Sequence, residues 1–112
     1  MSGPAVIDRT VFRELQETAG ADFIIELVGT FFEEAPPMLA ELRESRDACA
    51  ADRFRRAAHS LKSNGLTFGA TALAELARDL ELGGMPADAA PLDALEAEYA
   101  LAAAELKELC RG

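Results

Sequence analysis

Residues suited to chemistry are concentrated around His59, the one histidine of the 112-residue chain. A neutral imidazole is a nucleophile near pH 7, because its ordinary pKa is about 6.5. Lys62 follows three residues later, where a helix brings its ammonium to the same side and lets it balance the charge of a phosphoryl group. From Arg53 to Ala74 the chain has four basic residues and no acid, so we expect a local positive field. This combination favours a histidine that handles phosphoryl groups over the alternative, an exposed histidine without a function.

The helical pattern around His59 predicts that its side chain is exposed. At about 100° per residue, His59 lies roughly 140° from Phe54, which begins the apolar face of its helix. Lys62 and Leu66 share the flank of His59, so an apolar contact for a partner lies beside the two polar groups. The residues of the apolar face are Phe54, Ala58, Leu61, Gly65 and Phe68. Small residues nearby are expected to let another protein approach closely, namely Ser63, Gly65 and Gly69.

Apolar periodicity along the rest of the chain predicts helices joined by short connections. Asp8 and Asp52 are predicted to cap the first and third helices, and the continuous pattern through Pro36 and Pro37 predicts one kinked helix there. The predicted helices span about 8–20, 21–50, 52–69, 71–82 and 92–110. We therefore predict an all-α fold, an antiparallel up-down-up-down four-helix bundle with a short extra N-terminal helix, in a single domain over residues 1–112.

The composition argues against several classes of function. The chain has 20 acidic residues, 11 basic residues and a formal net charge of −9, which opposes binding to nucleic acids or to anionic membranes. Cys49 and Cys110 are far apart and have no histidine beside them, so we expect two reduced thiols and no metal site. No apolar run approaches the length of about 18 residues that a membrane span needs, so we expect a soluble cytoplasmic protein.

The residues around His59 also resemble a known signature. His59-Ser60-Leu61-Lys62-Ser63, followed by Gly69-Ala70, is similar to the His-x-Leu-Lys-Gly…Gly-Ala pattern of histidine-containing phosphotransfer (HPt) domains. The preceding segment 31–36 matches the family's Phe-x-x-x-Ala-Pro pattern, whereas Ser63 stands where the family often has glycine. The resemblance spans most of the chain.

The resemblance implies an intermediate of a two-component phosphorelay. His59 would accept a phosphoryl group from a receiver-domain aspartate and pass it to another receiver, and Lys62 would stabilise the phosphoryl charge. The protein would be a monomeric carrier without a cofactor, since the partner brings Mg²⁺, and a hybrid histidine kinase is a further possible partner. It would not be an enzyme that binds ATP, and the sequence has no Gly-rich phosphate loop. Residues expected at the docking surface are Arg55, Arg56, Ser63, Leu66 and Gly69.

Other interpretations fit less well. A histidine-kinase dimerisation domain usually has an acid directly after its histidine, whereas Ser60 follows here. A non-catalytic interaction bundle would explain the apolar periodicity but would make the spacing of His59, Lys62 and Gly69 accidental. A hydrolytic or metal enzyme built on histidines needs more than the one histidine of this chain. A carboxylate-bridged metal bundle needs acids on the inner helix faces, and the predicted faces are apolar. The sequence leaves open a free-standing protein or a phosphoacceptor domain of a larger hybrid or chemotaxis kinase.

Overall fold

The structure, a computed structural model, describes residues 6–111, and this part of the chain contains five helices and no strand. The all-α prediction is therefore confirmed for these residues. The helices are α1 (Arg9–Ala19), α2 (Ala21–Asp47), α3 (Ala51–Thr67), α4 (Thr71–Gly83) and α5 (Ala90–Arg111). Their order and approximate lengths agree with the helices predicted from apolar periodicity. None of the described helices is long and apolar enough to cross a membrane.

The helix ends follow ordinary capping chemistry with one exception. Asp8 caps α1, since its carboxylate accepts hydrogen bonds from the backbone N–H groups of Thr10 and Val11. The prediction that Asp52 caps α3 is wrong, because Ala50 occupies the cap position without a side-chain hydrogen bond. Asp52 lies instead in the first turn, where a carboxylate interacts favourably with the helix dipole.

Helix α2 runs without interruption through Pro36 and Pro37, so the prediction of one helix rather than two is confirmed. It ends at Asp47, three residues earlier than expected. The turn that follows contains Cys49 with a positive φ of 55°. A left-handed backbone conformation turns the chain sharply and ends the helix.

The core is built from the apolar faces predicted for the helices. Every residue predicted for the apolar face of α3 is buried, from Phe54 to Phe68. On α2, Met38 is only half-buried and Leu39 is buried in its place, while Leu42 farther along is buried as well. The ring of Phe31 lies 5.3 Å from that of Phe68 and 5.6 Å from that of Tyr99, measured between centroids. Helices α2, α3 and α5 therefore meet at one aromatic cluster.

Helix α3 packs against both α2 and α4. Two glycines, one in α3 and one just after it, permit close contacts with other segments. A Cβ atom at Gly65 would lie 3.2 Å from the Ala74 side chain, so this glycine lets α3 approach α4. Gly69 is buried, has a φ of +76° and accepts a 2.7 Å hydrogen bond from the Asp8 N–H. A Cβ there would lie 2.7 Å from the Asp8 carbonyl oxygen. Both glycines therefore serve packing within the chain.

Candidate functional site

His59 lies on the outer flank of α3, and its side chain is 56% exposed, as the helical pattern predicted. Its Nδ1 atom is 2.6 Å from Oε2 of Glu81, which extends from α4. An ionised carboxylate can only accept hydrogen bonds, so Nδ1 carries the ring proton and its N–H donates a hydrogen bond to Glu81. The lone pair of the neutral ring then lies on Nε2. The contact thus orients the imidazole and makes Nε2 its nucleophilic nitrogen.

Lys62 contacts the other oxygen of the same carboxylate. Its Nζ lies 2.7 Å from Glu81 Oε1, and the two groups form an ion pair. The Lys62 ammonium, followed by His59, holds the pKa of the Glu81 carboxyl below its ordinary value, against the opposing effect of burial. Glu81 is therefore ionised at neutral pH and connects the histidine to the lysine across the α3–α4 interface.

Glu81 is a residue that the sequence analysis missed. It lies 22 residues from His59, and only the packing of α4 against α3 brings the two together. The available signal was its position on α4, four residues after buried Ala77 and next to buried Leu80, at the edge of the face that meets the core. Its side chain is accordingly only 12% exposed.

The predicted positive field is reduced by acids that pair with its arginines, one from α3 itself and one from α2. Arg55 and Arg56 both bind Asp52, with a distance of 2.8 Å from the Arg55 guanidinium to the carboxylate. Arg53 forms two 2.8 Å hydrogen bonds to Glu41 of α2. The pKa of Asp52 is lowered, chiefly by its hydrogen bond with Arg55. The surface around the imidazole therefore carries paired charges, because Asp52 of the same helix binds Arg55 and Arg56 and helix packing brings Glu41 to Arg53.

The residues expected at the docking surface separate into three groups. Leu66 is 56% exposed and Ser63 is exposed, so both are accessible beside the imidazole. Leu66 and Lys62 also line a hollow of about 230 Å³ between α3 and α4, together with Thr71, Ala74, Glu75 and Arg78. Arg55 and Arg56 are exposed but paired with Asp52. Gly69 is buried against Asp8, so its predicted place on the docking surface is wrong.

A comparison with protein families agrees with this arrangement. The model of the Hpt domain family matches residues 26–110, a segment that includes the imidazole, the lysine and the carboxylate. The chain belongs to the Hpt domain family. Hpt domains carry phosphoryl groups between histidine and aspartate residues in phosphorelays, with receiver domains and histidine kinases as their general partners. No curated protein and no solved structure matches the chain.

Proposed function

We propose that His59 is the phosphoacceptor of a phosphorelay intermediate, which accepts a phosphoryl group from a receiver-domain aspartate and passes it to another receiver. The observation that carries this proposal is the exposed imidazole, whose Nδ1–H donates a hydrogen bond to Glu81 and whose Nε2 lone pair is therefore available. The Hpt family match supplies the class of reaction. This protein is thus a phosphoryl carrier, and its partners provide the aspartate and the Mg²⁺ bound to it.

The transfer can be written from the contacts of the site. The Nε2 lone pair attacks the phosphorus of the aspartyl phosphate, an N–P bond forms, and the P–O bond breaks with its electrons going to the receiver carboxylate. The phosphorylated ring keeps its Nδ1 proton and is therefore cationic, and the Glu81 carboxylate stabilises that charge. In the onward step a carboxylate oxygen of the next receiver's aspartate attacks the phosphorus and forms a P–O bond, while the N–P bond breaks with its electrons returning to Nε2, so the leaving group is a neutral imidazole.

Lys62 is placed to balance the charge of the phosphoryl group. Its side chain is 23% exposed and its ammonium lies on the same carboxylate as the imidazole. A phosphoryl group on Nε2 brings new negative charge close to that ammonium, so Lys62 stabilises the transferring group electrostatically. Leu66 and Ser63 form the nearest accessible docking surface for a receiver, with Arg55 and Arg56 at its edge.

The coarser features of the protein are part of the same proposal. Helix α2 packs on α3, α3 on α4, α4 on α5 and α5 on α2, which supports an up-down-up-down bundle with α1 across α2 and α3. We assign the whole chain to one domain that acts in the cytoplasm, where receiver domains are found.

The decisive experiment measures phosphoryl transfer directly. Incubation with phosphorylated receiver domains of the source organism should transfer label to this chain, and the label should be labile in acid and stable in base. His59→Gln, a substitution of an exposed side chain, should remove the label and keep the helical circular dichroism spectrum. Label retained in His59→Gln, or no label from any receiver, would contradict the proposal and leave a non-catalytic interaction bundle as the better interpretation.

A further inference from the structure

The hydroxyl of Ser63 is an unused hydrogen-bond donor one helical turn beyond His59. Three other hydroxyls within the helices donate to the backbone carbonyl four positions earlier, and they belong to Thr30, Ser45 and Thr67. Ser63 is exposed, and its hydroxyl donates to no other group within residues 6–111. It is therefore free to bind a group that arrives at this surface.

The contact between His59 and Glu81 determines the side of the imidazole on which a phosphoryl group binds. Nδ1 is directed at α4, since it lies 2.6 Å from Glu81 Oε2. The two ring nitrogens point outward in nearly opposite directions, so the Nε2 lone pair is directed away from Glu81 and from the helix that carries it. A phosphoryl group on Nε2 therefore lies on the far side of the ring from α4.

Ser63 lies on this far side. Measured from Phe54 at about 100° per residue, His59 lies at roughly 140° around α3 and Ser63 at roughly 180°. Lys62 lies at roughly 80°, and its contact with Glu81 marks this as the α4 side. Side chains four positions apart have Cβ atoms about 5–6 Å apart, and the Cα–Cβ bonds of a helix tilt towards its N-terminus. The Ser63 hydroxyl therefore leans towards the turn that contains His59.

A basic residue on the far side is already paired. Arg56 lies one turn before His59, at roughly 200°, and its guanidinium binds Asp52. The hydroxyl of Ser63 is the donor that remains free on that side, and hydrogen bonds to charged groups are stronger than those between neutral groups. The phosphoryl oxygens are therefore well-matched acceptors for it.

We propose that the Ser63 hydroxyl donates a hydrogen bond to an oxygen of the phosphoryl group on Nε2 of His59 and so stabilises the phosphorylated protein. This inference rests on the proposed function, since it requires His59 to be the phosphoacceptor. Glycine, the residue of the His-x-Leu-Lys-Gly pattern at this position, has no hydroxyl, so the donor is a departure from that pattern. The serine shifts the phosphoryl equilibrium from the receiver aspartate towards His59.

A competition for the phosphoryl group measures this stabilisation. Phosphorylated wild type is mixed with an equal amount of unphosphorylated Ser63→Ala and a catalytic amount of a receiver domain that labels the wild type. At equilibrium the share held by each protein depends on the stability of its phosphorylated form and not on docking, because docking alters the forward and reverse rates by the same factor. Native mass spectrometry at neutral pH distinguishes the two proteins, which differ by one oxygen atom.

Ser63→Ala should hold about two- to tenfold less phosphoryl group than the wild type, as expected for the loss of one hydrogen bond. Ser63→Gly, which also lacks the hydroxyl, should show a similar deficit. Ser60→Ala is the matched control, because adjacent residues of a helix do not face each other, and it should share the phosphoryl group equally with the wild type.

The outcomes separate this inference from the proposed function. Equal shares for the wild type and either Ser63 variant, or a deficit as large in Ser60→Ala, would overturn the role of Ser63 while His59 remains the phosphoacceptor. Failure of every receiver domain to label the wild type would overturn both proposals. Helical circular dichroism shows that each variant is folded.

Discussion

The carboxylate of Glu81 offers the sharpest test of how the site works. Glu81→Gln keeps the shape of the side chain but removes its charge, so the amide no longer requires the proton to be on Nδ1 of His59. The amide can accept from Nδ1–H through its oxygen or donate to an Nδ1 lone pair through its nitrogen. Lys62 also loses the negative group that lies 2.7 Å from its ammonium. The variant therefore separates the electrostatic role of Glu81 from its packing in the α3–α4 interface.

The expected magnitude follows from the loss of a charge-assisted hydrogen bond. Such a bond is roughly twice as strong as its neutral counterpart, and the 2.6 Å contact to Nδ1 is of this kind. Solvent screens part of the difference, because the His59 side chain is 56% exposed. We therefore expect phosphoryl transfer to His59 to slow by about five- to tenfold, and onward transfer to slow less, because the phosphorylated ring also loses stabilisation. Helical content should be unchanged.

Two measurements check this expectation. Rapid-quench kinetics with a phosphorylated receiver domain give the transfer rate, and nitrogen NMR of the imidazole gives its tautomer. The wild type should hold its proton on Nδ1, and Glu81→Gln should show a mixture of the two neutral forms. Asp79→Asn, an exposed charge removal on the same helix but away from the site, is the matched control. Wild-type kinetics and tautomer in Glu81→Gln, or an equal effect of Asp79→Asn, would refute the reasoning.

Three further predictions concern Lys62, the contact of Gly69 with Asp8, and the charge of Glu81. Lys62→Ala should slow phosphoryl transfer without altering helical content, because it removes the ammonium beside the carboxylate; equal transfer rates in a receiver assay would exclude this role. Gly69→Ala should lower the free energy of unfolding in urea by about 1–3 kcal/mol, because its φ is +76° and a Cβ would clash with Asp8, whereas Gly83→Ala, with open space around it, should not destabilise. Because its pKa is lowered in the folded protein, the Glu81 carboxylate should contribute its full stabilisation above pH 4.5, its ordinary pKa, and lose this contribution as the pH falls through the lowered pKa. The free energies of unfolding of wild type and Glu81→Gln should therefore converge in acid, and a constant difference between them would contradict this.

The position of the histidine could be predicted from the sequence because a single helix determines it. The repeat of Phe54, Ala58 and Leu61 identifies the buried face of α3, and the angle per residue then places His59 on the exposed flank. Its neighbour Lys62, three residues later, follows from the same geometry. Local sequence was also sufficient for the cap at Asp8, since its carboxylate binds backbone groups only two and three residues away.

Two of the predictions that failed depend on contacts between segments that are distant in the sequence. Four basic residues without an acid indicated a positive field, but Glu41 of α2 neutralises Arg53 and Glu81 of α4 lies on the site itself. Gly69 was assigned to the docking surface because small residues leave room for a partner, yet the partner is Asp8 of the same chain. Linear proximity cannot reveal an ion pair or a close approach between segments that only tertiary packing brings together.

For this protein the sequence by itself determined the helices, the exposed histidine and the family to which the chain belongs. Those properties depend on periodicity and spacing within single segments, which the backbone geometry of an α-helix converts directly into faces. Tertiary structure alone decided which nitrogen of His59 can react, because that depends on a carboxylate 22 residues away that accepts its other proton.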